Sequence, residues 1–217
     1  MKDISTIDYT ILDRPEVLMF LFHPRPEPVV STLRTAESEI RKSDRRDILI
    51  PVQADIAIGA RFHMAEKTDG NILFFHGNGE IVADYDELGG AYNQMGINFL
   101  AVDYRGYGRS GGEPTVTAMM RDCHVIFNFV RKWLLKNDFR GPIVPMGRSL
   151  GSASVLEIAR SAIELIRTPA WSSSAGLWLL GVESGSGWSE AVSSAVLMIP
   201  AVLSARAVMS RVTLSPL

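Results

Sequence analysis

Gly147-Arg148-Ser149-Leu150-Gly151 (GRSLG) decides how this chain is to be read. The pentapeptide follows a short apolar run, Pro142-Ile143-Val144-Pro145-Met146, and precedes a stretch of helical character from Ser152 to Arg167. A serine with glycines two residues before and two after, set between a strand and a helix, is the pattern of a nucleophile elbow. Bulk on either side of so sharp a turn would clash with neighbouring backbone, and Gly147 and Gly151 relieve that crowding. The turn lifts the Ser149 hydroxyl clear of the sheet and aims backbone N–H groups at whatever the serine attacks. An ordinary helix N-cap is the other reading of Ser149, and the flanking glycines weigh against it.

Upstream, strand and helix periods alternate. Ile48-Leu49-Ile50-Pro51-Val52 and Ile56 to Met64 read as two strands, the second with partial period-2 alternation. Asn71-Ile72-Leu73-Phe74-Phe75 reads as a buried strand that ends in His76-Gly77-Asn78-Gly79, with a helical stretch from Asp84 to Met95 after it. Asn98 to Tyr104 is the next buried strand and runs into Arg105-Gly106-Tyr107-Gly108-Arg109-Ser110-Gly111-Gly112. Apolar residues recur at helical spacing from Thr115 to Lys136, with Thr115 or Thr117 as the cap. Continuous apolar strands alternating with helices predict a mostly parallel sheet covered by helices on both faces. Sites in such sheets form at the C-terminal ends of the strands, where both the HGNG loop and the elbow fall.

Composition bounds the function classes. With 217 residues, 47% hydrophobic and 21% charged, the chain has enough apolar mass for one globular core with appendages. A net charge of −2 and the lack of a Lys/Arg run argue against a nucleic-acid partner. The densest charge cluster, Arg41 to Asp47, mixes both signs and reads as a solvated loop. A single cysteine, Cys123, precludes an internal disulfide and suits a reducing compartment, the cytoplasm; its place in a helical stretch makes it a small buried side chain. Residues 1–44 read as a short helix over Val17 to Phe22, too short for a signal or a membrane span, and a connector rich in proline.

HGNGE, DYRGYGRSGG and GRSLGS, in this order and spacing, resemble the α/β-hydrolase superfamily of serine hydrolases, in particular its bacterial esterase- and peptidase-like members. The likeness covers roughly residues 45–165, within a core assigned to 45–167. It implies an α/β-hydrolase fold and a hydrolase that takes a small acyl ester, thioester or amide through an acyl-enzyme, with no cofactor and no metal. It also implies Ser149 as nucleophile, with the backbone N–H groups of Leu150 and Asn78 as oxyanion donors and Gly77 beside them. Arg148 falls near the pocket mouth. The histidine of the HG motif, His76, is expected to shape its loop, and Asp103 to organise the loop after its strand with Arg105 as partner. His23, His63 and His124 read as structural, and Glu113 carries no chemical role.

The tail departs from the resemblance. After Ser149 the sequence contains no Asp and no His, whereas the family places the acid and then the histidine beyond the serine. From Thr168 onward only Glu183, Glu190, Arg206 and Arg211 are charged, among eleven serines and three tryptophans. Leu177 to Glu183 reads as one further strand, and Glu183 as a stand-in for the acid. Val192 to Val208 is apolar, but Pro200 and Arg206 interrupt it, so no membrane partner is expected. Either a shifted reading frame near residues 160–175 or a natural short variant accounts for the change, and its sharpness favours the first. The fold is then incomplete at its C-terminal end. Turnover is impaired, or replaced by plain ligand binding, or the chain is a truncated product without function of its own, and an uncovered sheet edge invites self-association.

Overall fold

A computed structural model describes residues 7–28 and 45–167. The expectations for residues 29–44 and 168–217, the tail strand included, lie outside the described residues. The chain divides into one unit ending at Ile163 and a second beginning at Glu164.

Helix α1 (Pro15–Leu21) opens with proline at its first position, where the missing N–H would have had no partner. Five strands follow: β1 (Arg45–Gln53), β2 (Ile56–His63), β3 (Gly70–Phe75), β4 (Ile97–Val102) and β5 (Ile143–Gly147). Between them lie a 3-10 turn (Val82–Tyr85), α2 (Asp86–Gln94) and α3 (Val116–Lys136), and α4 (Gly151–Arg167) follows β5. In the sheet the order is β1-β2-β4-β3-β5. β3 pairs with β4 and β5 in parallel, while β2 runs antiparallel to both β1 and β4. Four of the five strands therefore point one way. The hairpin β1–β2 needs only the two-residue link Ala54-Asp55, and so adds its antiparallel pair without a crossover helix.

The two sheet faces are built from alternate residues of the same strands. Leu73, Phe75, Leu100, Val102 and Phe62 share a core with Val116, Met119, Cys123, Ile126, Val130 and Leu134 of α3. Those six recur at three- and four-residue intervals, which keeps them on one stripe of the helix. On the opposite face Phe74, Phe99 and Ala101 pack with Tyr85, and Tyr92 of α2 lies against them. Of the two candidate caps for α3, Thr115 takes the place: its Oγ1 accepts from the Ala118 N–H at 3.0 Å. The Val17–Phe22 run is helical up to Leu21, and Phe22 turns into the core as the chain becomes extended.

Among the described residues no helix is long and apolar enough to cross a membrane.

Candidate active site

Strand register brings three loops to one end of the sheet. Phe75 lies opposite Val102 on one side and Gly147 on the other. The chain therefore leaves β3, β4 and β5 at the same level, into the HGNG loop, the loop after Asp103 and the elbow.

The elbow itself is tight. The Arg148 N–H donates to the Phe75 carbonyl at 3.0 Å, the Gly151 N–H to Arg148 O at 2.9 Å and the Ser152 N–H to Ser149 O at 3.0 Å. Ser149 takes up the reversal with φ = 50°, a left-handed conformation that L side chains avoid. A Cβ on Gly151 would stand 2.0 Å from the Phe75 carbonyl oxygen, and one on Gly147 2.4 Å from that of Gly151. Glycine at both places is thus a requirement of backbone against backbone. Arg148 and Ser149 are exposed.

Glu80 joins the elbow to the HGNG loop. Its carboxylate pairs with the Arg148 guanidinium and accepts from the Gly77 N–H at 2.7 Å and from the Tyr85 hydroxyl. The Gly77 N–H, grouped with the oxyanion donors from sequence, is therefore committed to Glu80. Gly77 contributes room, since a Cβ there would lie 2.8 Å from Glu80 Oε2. The Asn78 and Leu150 N–H groups have no hydrogen-bond acceptor among the described residues. Gly151 abuts the carbonyls of Phe75 and His76, so the two loops that carry those N–H groups adjoin. Where two N–H groups converge beside a hydroxyl, they can bind an oxygen that gains negative charge during acyl transfer.

His76 is fully buried. Its Nδ1 faces the Gly77 carbonyl at 2.8 Å and its Nε2 faces Asp103 Oδ1 at 3.2 Å, with Tyr104 edge-on against the ring. Asp103 Oδ1 also accepts from the Val82 N–H at 2.9 Å. This pair organises the loops after β3 and β4 from below, as the sequence reading expects of both residues. The expected partner of Asp103 is corrected, however. Arg105 instead grips Asp122 of α3 in a buried fork, Nε to Oδ2 at 2.6 Å and Nη2 to Oδ1 at 3.1 Å. Its side chain faces α3, whereas Asp103 points under the sheet end toward His76.

The remaining histidines differ from one another. His63 lies beside Asp86, and His124 beside Glu157 of α4. Read from sequence as a structural part of the connector, His23 sits on the HGNG loop: its ring Nδ1 meets Asn78 Nδ2 at 2.7 Å. No local pattern marks His23, because the contact joins residues 55 positions apart. Among the described residues no histidine hydrogen-bonds to Ser149. Cys123 is buried, and burial pushes its thiol up to about 12, which makes it inert packing.

The family model for serine aminopeptidase, S33, matches residues 66–200. The chain belongs to this family. Its S33 match begins ahead of β3 and takes in all three strand-end loops, and membership makes the protein an α/β-hydrolase, an enzyme family of hydrolases. Among curated relatives, the multifunctional-autoprocessing repeats-in-toxin protein of Vibrio cholerae is 31% identical over 96 residues, 43% of this chain and 2% of that protein. The uncharacterised protein YfhR of Escherichia coli is 29% identical over 94 residues, 43% of this chain and 32% of that one. Lysophosphatidylserine lipase ABHD12 of Xenopus tropicalis is 30% identical over 95 residues, 43% of this chain and 24% of the lipase. The S33 chain thus spans no more than about a third of these proteins. Solved structures similar to it include a Pyrobaculum calidifontis esterase, with TM-score 0.47, 22% identity, and 61% and 46% of the two chains covered. Est1E of Butyrivibrio proteoclasticus with ferulic acid gives TM-score 0.46, 20% identity, and 54% and 48% coverage.

Proposed function

We propose that this S33 member is a serine hydrolase of the cytoplasm that cleaves a small ester, thioester or amide through an acyl-enzyme on Ser149. The observation that carries the reading is the left-handed Ser149 held between two glycines whose Cβ positions are occupied by backbone. A helix cap needs no such geometry, whereas a nucleophile that must stand clear of its sheet does. In the reaction the Ser149 oxygen bonds to the acyl carbon, the bond to the leaving group breaks, and the hydroxyl proton leaves with that group. Water then splits the acyl-enzyme and restores the hydroxyl. The Asn78 and Leu150 N–H groups would hold the oxyanion in both steps.

Catalysis by the described residues alone would be slow, because none of them accepts the Ser149 proton. The sequence has no Asp or His after Ser149, and no described histidine reaches its hydroxyl. A protonated serine is a poor nucleophile, and loss of the histidine from a serine protease costs about 10⁶ in turnover. The same observation favours a second reading, a binding site that retains the oxyanion cradle and does not turn over. Hydrolysis of a short p-nitrophenyl ester, compared with Ser149→Ala, tests both. The hydrolase reading requires turnover that the substitution abolishes, and equal rates in the two proteins refute it. Thermal stabilisation by a non-hydrolysable acyl analogue without Ser149-dependent turnover selects the binding site.

A further inference from the structure

The extended segment after α1 lies across the HGNG loop, and its contacts converge on one side chain, that of Asn78. The His23 N–H donates to Asn78 Oδ1 at 2.8 Å and to the Tyr107 hydroxyl at 2.7 Å. The Tyr107 hydroxyl in turn donates to Asn78 Oδ1 at 2.9 Å. A backbone N–H can only donate, so the oxygen of the Asn78 amide must face it. The amide NH2 is left facing His23 Nδ1 at 2.7 Å, and that nitrogen must accept. A neutral His23 ring therefore carries its proton on Nε2. Tyr107 is fully buried, and burial raises its phenol, so it remains a donor.

The same segment is stitched to the residue after Asn78 and to the loop after β4. Arg25 Nε donates to the Gly79 carbonyl at 2.8 Å, and the Gly108 N–H donates to the Arg25 carbonyl at 2.9 Å. Arg25 also pairs with Asp84. Burial works against the Asp84 charge, but the Arg25 guanidinium and the Ile81 N–H hold its carboxyl below the usual carboxylate range. The strap thus ties the HGNG loop to the loop after β4 and anchors next to Phe22 in the core.

From this we infer that the segment from Phe22 to Glu27 is part of the active site, and that His23 is a positioning residue that sets the Asn78 backbone N–H for the oxyanion. The inference rests on the serine hydrolase reading above. An oxyanion donor works only where the charge will appear, and a misplacement of about 1 Å can cost on the order of 10² in rate. Asn78 stands between two glycines, Gly77 and Gly79, and its own N–H has no acceptor among the described residues. Three hydrogen bonds to its side chain supply that restraint. The His23 ring is exposed and adds nothing to the core, so stability alone gives no reason for its place.

The test compares wild type, His23→Ala and His23→Asn in the whole chain, with Ser149→Ala as blank. Asparagine keeps an acceptor near the position of the imidazole Nδ1; alanine removes it. The readouts are the labelling rate of Ser149 by a fluorophosphonate, kcat and KM for a p-nitrophenyl ester, and Tm. His23→Ala should lower labelling and kcat roughly tenfold, short of the ~10²–10³ of deleting a donor outright. KM and Tm should not move, and His23→Asn should recover most of the rate. Labelling of His23→Ala at the wild-type rate overturns the inference while leaving the hydrolase reading intact. So does a His23→Asn variant as slow as His23→Ala, or a loss matched by a fall in Tm. Wild type labelled no faster than Ser149→Ala overturns the hydrolase reading and the inference with it.

Discussion

Replacing Ser149 by glycine should stabilise the fold relative to replacing it by alanine, which reverses the ordinary order of the two residues. At φ = 50° a residue with a Cβ crowds its own carbonyl. The left-handed conformation costs an L residue roughly 1–2 kcal/mol, and glycine is free of it. Glycine loses about 0.5–1 kcal/mol more backbone entropy on folding than alanine does. The difference leaves Ser149→Gly ahead of Ser149→Ala by roughly 0.5–1 kcal/mol. Both variants lack the hydroxyl, so catalysis and hydrogen bonding drop out of the comparison. Urea denaturation followed by far-UV circular dichroism measures it, with equal slopes required of the two transitions. Asp138, with φ = 66° after the end of α3, serves as a control remote from the chemistry, and Asp138→Gly against Asp138→Ala should show the same sign. A Ser149→Gly protein less stable than Ser149→Ala would mean that the turn is not strained, and would remove the main argument for an elbow.

Three other perturbations follow from single distances or environments. Gly151→Ala places a Cβ 2.0 Å from the Phe75 carbonyl oxygen, so β3 and the start of α4 must separate by about 1 Å, at a cost of ~1–3 kcal/mol; an unchanged melting curve would contradict that packing. The Arg160 guanidinium, then the Tyr9 hydroxyl and His124, hold the Glu157 carboxyl at about 2 against an ordinary 4.5, although burial works the other way. A lowered value stabilises the folded state above pH 4.5 and is lost as pH falls toward 2. Stability of wild type should drop by up to ~3 kcal/mol more than that of Glu157→Gln over this window, and parallel pH profiles would refute the assignment. Cys123, its thiol pushed up to about 12 by burial, should leave Ellman's reagent untouched at pH 8 in the native protein and react fully in denaturant; fast native labelling would place it at the surface.

What the sequence determined by itself is whatever depends on residues close together in the chain. The elbow is legible in GRSLG because the steric demand falls on positions two residues either side of Ser149. Buried strands are legible in NILFF and NFLAV because a strand covered on both faces runs apolar without alternation, here after a leading asparagine that is itself buried. The α3 stripe from Val116 to Leu134 shows in its spacing, and the smallness of Cys123 suits its place there. Tertiary structure alone decided which distant groups meet. Asp103 is the partner that the sequence suggests for Arg105, and only the packing of α3 on the sheet replaces it with Asp122. The Gly77 N–H looks free until Tyr85 and Arg148 bring Glu80 over it. His23 has no pattern around it, yet it lies on Asn78, because Phe22 enters the core beside the strand ends and the next residue has to cross the HGNG loop. Local sterics are written in neighbouring residues, whereas a hydrogen bond across 55 or 84 positions exists only once the core has brought its two ends together.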